Sequence, residues 1–135
     1  MRKRGRELCY SIYGQEKFED IMSSWGSMRG DISWTADNII YGMFLAEESV
    51  LNRQETTLMS YSSMACMDLL GTSRRHLVGL LRHGASEDEC ARIIKCTKSV
   101  AQWAGRDTSD WVTIHELQAE PQGREMHDQI MKGRI

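Results

Sequence analysis

Apolar residues recur at helical spacing along most of this chain. In "RELCYSIYG", Leu8, Ile12 and Tyr13 share one stripe, and Gly14 follows as a C-cap. "EKFEDIMSSW" continues the pattern through Phe18, Ile21 and Met22. "GSMRGD" reads as a loop rich in Gly and Ser. "SWTADNIIYGMFLAEE" then sets Ile39, Ile40, Met43 and Phe44 at helical spacing. After the loop "SVLN", Asn52 caps "RQETTLMSYSSMACMDLL", with Glu55 in capping-box position. The small residues Ser62, Ser63 and Ala65 of that helix suit close approach by another. Gly71 is expected to end it, and Thr72 or Ser73 to cap the next helix, 74–83, which stops at Gly84. Ser86 and Glu89 form an S-x-x-E box for a helix over about 87–104, closed by Gly105. "DTSDWVTIHELQ" supplies a last helix, capped near Thr108 or Ser109.

No segment alternates like a strand between turn residues; "DWVTI" is the one short β-like run. The pattern predicts an all-α protein of about six helices. A length of 135 residues suits one domain, 1–135, with a helical core over about 4–119 and a polar tail, 120–135.

Composition narrows the class. A net charge of −2, with a single basic run, "MRKRGR", argues against nucleic acid as a partner. No stretch approaches the roughly 20 apolar residues of a membrane span, and no apolar region follows the N-terminal charges. The expectation is therefore a cytoplasmic protein with no membrane partner. Cys9, Cys66, Cys90 and Cys96 form no C-x-x-C pair and read as free thiols. "HELQA" lacks the second histidine of a metalloprotease helix because position 119 is Ala119. No metal site, Gly-rich phosphate loop or nucleophile elbow is expected, and no cofactor.

The candidate chemistry centres on "RRHLVGLLRHGAS", residues 74–86, where His76 and His83 stand seven residues apart on nearly the same helix face. His83 sits in the closing turn, where a cation suits the helix dipole, and reads as structural. His76 is expected in the first turn beside Arg74 and Arg75. There the dipole and the two cations would keep it neutral and competent as a base.

"HLVGLLRHGASEDEC" resembles the histidine-to-Gly-Ala motif of the carboxymuconolactone decarboxylase-like family, in particular the form "HL-x-G-x-L-x-x-GA" of its fungal branch. "RGRELCYSIYG", "VLNRQETTLMSYSSMACMDLLG" and "WAG" at 103–105 resemble other family segments in the same order, so the likeness covers most of residues 4–105. It implies an AhpD-like helical bundle built around a two-helix hairpin, assembled as a homotrimer or homohexamer. One branch of the family is disulfide-active. Leu69 and Thr72 stand where that branch carries its two cysteines, so a thiol peroxidase is not expected.

The resemblance further implies that His76 is catalytic, with Glu47 or Glu48 of "FLAEESVLNR" as its acidic partner. Arg75 would hold a substrate carboxylate while Arg74 faces solvent or a neighbouring subunit. Trp34 or Trp103 would wall the substrate, with Cys66 nearby. The leading expectation is a cofactor-free lyase that decarboxylates a small unsaturated or keto acid, leaving an enolate to be stabilised and reprotonated. An isomerase or cyclase tailoring a polyketide-like intermediate is the first alternative. A non-catalytic oligomeric ligand-binding protein is the second.

Overall fold

A computed structural model describes residues 1–119, apart from the Gln118 side chain; the polar tail, 120–135, lies outside the described residues. The described chain is all helical: α1 (Arg2–Tyr13), α2 (Gln15–Ser23), a 3-10 turn (Gly26–Met28), α3 (Arg29–Thr35), a π-helix (Ala36–Leu45), α4 (Arg53–Cys66), α5 (Leu70–Arg82), α6 (Glu87–Trp103) and α7 (Ile114–Ala119). No strand occurs among the described residues, and "DWVTI" is irregular chain up to Thr113 with Ile114 opening α7. None of these helices is long and apolar enough to cross a membrane. The chain divides into two compact units, Met1–Thr56 and Thr57 onward, each with its own apolar core.

In the first unit the expected stripes of α1 and α2 are buried: Leu8, Cys9, Ile12 and Tyr13 meet Phe18 and Met22. Tyr13 stacks on Phe18 at 5.7 Å between ring centres, and its hydroxyl lies 2.8 Å from that of Tyr41. The segment 26–45 departs from expectation. The loop at "GSMRGD" is instead a 3-10 turn followed by α3, which begins at Arg29 with Asp31 favourably placed in its first turn.

From Ala36 the backbone closes i to i+5; the last such bond runs from Ala46 N to Tyr41 O at 2.8 Å. Wider turns change which side chains share a face. Asp37, Gly42 and Ala46 are buried, while Ile40, Met43 and Phe44, which the sequence sets at α-helical spacing, are exposed. Two tertiary contacts fix that face. Asp37, fully buried, takes Nε of Arg6 at 2.9 Å and a second bond from its Nη2. Arg4 donates to the Gly42 carbonyl from Nε at 3.0 Å and from Nη2 at 2.6 Å. Gly5 lets the backbones touch, since a Cβ there would lie 2.1 Å from Asp37 O and 2.7 Å from Gly42 N.

α4 opens with the expected box: Asn52 Oδ1 accepts from Glu55 N at 3.0 Å, and Glu55 Oε2 from Asn52 N at 2.8 Å. It ends earlier than expected, at Cys66 rather than Gly71. Asp68 adopts a left-handed φ of 59°. Around it, Leu69 N donates to Met64 O at 2.9 Å and Asp68 N to Ala65 O at 3.1 Å, the paired bonds of a Schellman ending. Consequently α5 begins at Leu70, and Gly71, Thr72 and Ser73 lie within it instead of capping it.

The later helix ends match the sequence reading. Gly84 (φ 90°) and Gly105 (φ 77°) close α5 and α6 with the same paired bonds, and Ser86 with Glu89 caps α6. The cap of α7 is Thr113, not Thr108 or Ser109: Thr113 Oγ1 accepts from Glu116 N at 3.2 Å, and Glu116 Oε2 from Thr113 N at 2.7 Å. The core of this unit is built from Tyr61, Ala65, Leu77, Val78, Leu80, Leu81, Ile94, Trp111 and Leu117 among others.

The close approach at Gly5 gives a paired test. Gly5→Ala has only backbone to push against and should cost at least about 1–3 kcal/mol. Gly30→Ala in α3 meets nothing within 4 Å and should gain roughly 0.5–1 kcal/mol from helix propensity. Thermal melts of the two variants should move in opposite directions.

Candidate functional site

A cavity of about 250 Å³ opens in the second unit, lined from three places. α4 contributes Tyr61 and Ala65, four residues apart and so on one face. The first turns of α5 contribute Leu70, Gly71, Ser73 and Arg74. The irregular segment before α7 contributes Asp110, Trp111 and Val112. The early end of α4 at Asp68 is what brings residues 70–74 into helical register here. An Arg106 guanidinium on the Asp68 carboxylate ties that turn to the chain just after α6.

The lining is chemically mixed. Arg74 is half-buried and supplies a cation. Burial pushes the Tyr61 phenol up to about 12, with Cys66 and Cys90 adding to the shift, so it remains a hydrogen-bond donor at neutral pH. Ser73 Oγ donates to Leu70 O at 3.0 Å and retains acceptor capacity. Asp110 is exposed. Trp111 is only 5% exposed; its Nε1 is buried and has no acceptor among the described residues. Lys98 Nζ steadies this segment by donating to Trp111 O at 3.3 Å. The Glu116 carboxylate is held low by hydrogen bonds from Thr113, with Arg74 and Lys98 contributing through space.

None of the seven side chains singled out from sequence lines this cavity. His76 is fully buried (0% exposed) and lies in the middle of α5, not its first turn. Its pKa is lowered to about 4, chiefly by loss of solvent and secondarily by His83, so the cause is burial and not the helix N-terminus. His83, half-buried beside Gly84, has Nδ1 3.1 Å from Thr57 Oγ1. Arg75 is half-buried, and no acceptor for it occurs among the described residues; it is Arg74, expected to face outward, that reaches the cavity.

Glu47 and Glu48 belong to the first unit, are exposed, and pair with Arg4 at 3.1 Å and Arg53 at 2.7 Å. Hydrogen bonds from Ser49, then Arg4, hold Glu47 below the usual carboxylate range. Trp34 is exposed on α3, and Trp103, at the end of α6, is 89% exposed. Cys66 ends α4, half-buried against the second core; all four cysteines are free.

The residues missed by sequence reasoning had weak local signals. Arg74 and Arg75 are interchangeable until the start of α5 is known. Trp111 lies in the β-like run, and Tyr61 in a helix marked by its cap, its small residues and its family-like segment, none of which points to the tyrosine.

No family model matches the chain, and no solved structure matches it. The chain is similar to the curated "Peroxisomal protein 2" of Schizosaccharomyces pombe, at 30% identity over 87 residues. The match covers 64% of this chain and 40% of that protein, so this chain spans less than half of its relative's length.

The buried histidine makes a pH prediction. Its folded pKa lies below the ordinary 6.5, so the unfolded state takes up the proton first as pH falls. The stabilisation from keeping His76 neutral is therefore complete above pH 6.5 and is lost as pH falls from 6.5 to about 4. At most it amounts to about 3 kcal/mol. His76→Gln should flatten that part of the stability–pH curve relative to wild type, as read by urea unfolding. Parallel curves would mean that His76 is solvated.

Proposed function

We propose that this chain is a cofactor-free lyase of the carboxymuconolactone decarboxylase-like type, acting on a small unsaturated or keto carboxylic acid. The observation that carries the reading is the cavity at the head of α5, whose lining includes Arg74, Tyr61 and the exposed Asp110. Arg74 holds a carboxylate of the substrate. When carbon dioxide leaves, the bond to the departing carboxyl breaks and its electron pair enters the neighbouring unsaturated or keto group. The Tyr61 phenol donates to the enolate oxygen so formed. Asp110, exposed at the rim, relays from solvent the proton that carbon then takes up.

In this reading the functional groups are not the His76–Glu48 pair that the family likeness implies. His76 serves as a neutral packing residue one turn beyond Ser73, and Glu47 and Glu48 serve their own arginines.

The position of His76 away from the cavity favours a second reading, a ligand-binding protein without turnover. Carbon dioxide release from a panel of β-keto and β,γ-unsaturated acids decides between the two. The lyase reading expects release by wild type, with a loss of roughly 10²-fold or more in Tyr61→Phe, the usual scale for a missing proton donor. Intact, folded protein that turns over none of the panel supports the second reading.

Assembly belongs to the same proposal. Trp34, Ile40, Met43 and Phe44 of the first unit and Trp103 of the second are large, apolar and exposed, and a contiguous patch of such side chains on either unit would call for a partner. A homotrimer or homohexamer is expected. Light scattering at micromolar concentration should report one of these, and a stable monomer would contradict it.

A further inference from the structure

We propose that residues 36–45 are a bistable helix: wound as a π-helix they show Ile40 and Phe44 on the surface of the first unit, and rewound as an α-helix they turn both inward. The device lies wholly within Met1–Thr56 and is independent of what the second unit binds or turns over.

Two contacts with α1 hold the segment, and they differ in what they demand of it. Asp37 lies at its start, with the carboxylate taking Arg6 Nε at 2.9 Å and lying 3.7 Å from Arg2 Nε. That pairing fixes where the helix begins and suits either winding. Gly42 is the second contact. Its carbonyl accepts from Arg4 Nε at 3.0 Å and Nη2 at 2.6 Å, and its backbone meets that of Gly5. This contact exists only while residue 42 shares a face with Asp37, five residues earlier.

The α winding ends that coincidence. At about 100° per residue, an α-helix begun at Asp37 brings Phe44 within about 20° of the Asp37 direction and Ile40 within about 60°, and carries Gly42 about 140° away. Ile40 and Phe44 then stand on the inner side, α1 gives way to admit them, and the Arg4 latch opens.

Each winding has its own support. The α form satisfies the apolar period of "NIIYGMF" and takes two large side chains out of water. The π form, rare at this length, depends on the Arg4 latch and on glycine at position 42. A Cβ there would stand 2.4 Å from Asp37 O and 2.8 Å from Met1 O. Two packings of one segment, each closed by its own contacts, are the requirement for a two-state switch.

Gly42→Ala closes the π form and leaves the α form open, where residue 42 faces away from α1 and alanine favours the helix. Engineered histidine pairs read the winding directly, because two imidazoles chelate nickel(II) only from one face. Ile39→His with Phe44→His spans five residues and chelates in the π form; the α form sets the two about 140° apart. Ile40→His with Phe44→His spans four and chelates in the α form. In the otherwise wild-type full chain, calorimetry should show the 39/44 pair binding nickel at least about tenfold more tightly than either single-histidine variant, since the second ligand then binds intramolecularly. Adding Gly42→Ala should abolish that gain, and the 40/44 pair should show it in the same background.

A 39/44 pair that still chelates in Gly42→Ala overturns the proposal, since the segment then keeps one winding. So does a 39/44 pair that fails to chelate with Gly42 in place. Failure of both pairs in Gly42→Ala means that the segment has no second folded winding, and overturns it equally.

Discussion

Where α4 stops decides how the cavity of the second unit is walled. The stop is Asp68, a non-glycine residue in the left-handed region, where steric cost must be met by its surroundings. Two backbone bonds to α4 carbonyls and the Arg106 guanidinium on its side chain meet it. Had the helix run on to Gly71, Leu69 and Leu70 would have continued α4, and α5 would have begun only at about residue 74 instead of at Leu70. With the break at Asp68, the first turns of α5 stand beside the Tyr61–Ala65 face of α4, and the segment around Trp111 completes the cavity. The first unit has a comparable constraint in the buried Asp37, whose pairing with Arg6 holds the π-helix against α1.

Much of this fold is legible in the sequence where the signal is local. The boxes at Asn52–Glu55 and Ser86–Glu89, the glycine endings at Gly84 and Gly105, and the stripes of α1 and α2 depend on residues within a turn or two of each other. The failures have tertiary causes or competing local ones. Ile40, Met43 and Phe44 have a good α-helical period, yet the bonds from Arg6 and Arg4 select a wider helix that turns those side chains outward. Asp68 is a less usual ending than glycine, and Gly71 three residues later offered the ordinary signal. Thr113 with Glu116 is a T-x-x-E box, obscured by the Thr108 and Ser109 that precede it.

The site was less legible than the fold because its walls come from three separated segments, and no spacing rule joins Tyr61, Arg74 and Trp111. The family-like motif did direct attention to α5, the helix that forms one wall. It drew the eye to the histidine, however, and His76 is the most enclosed polar residue of that helix. A neutral imidazole at that depth supports the packing of α5; the residues that line the cavity lie one turn earlier. The choice between Arg74 and Arg75 turns on a single helical step of about 100°, which is set by the start of α5 and hence by Asp68.

The central claim, that a left-handed Asp68 ends α4 and so sets the start of α5, is tested most directly by comparing Asp68→Gly with Asp68→Ala in urea unfolding. Both variants lose the contact with Arg106, and only glycine adopts the left-handed φ of 59° without steric cost. Asp68→Ala should therefore be less stable than Asp68→Gly by about 1 kcal/mol or more. Equal stability of the two variants would contradict the account.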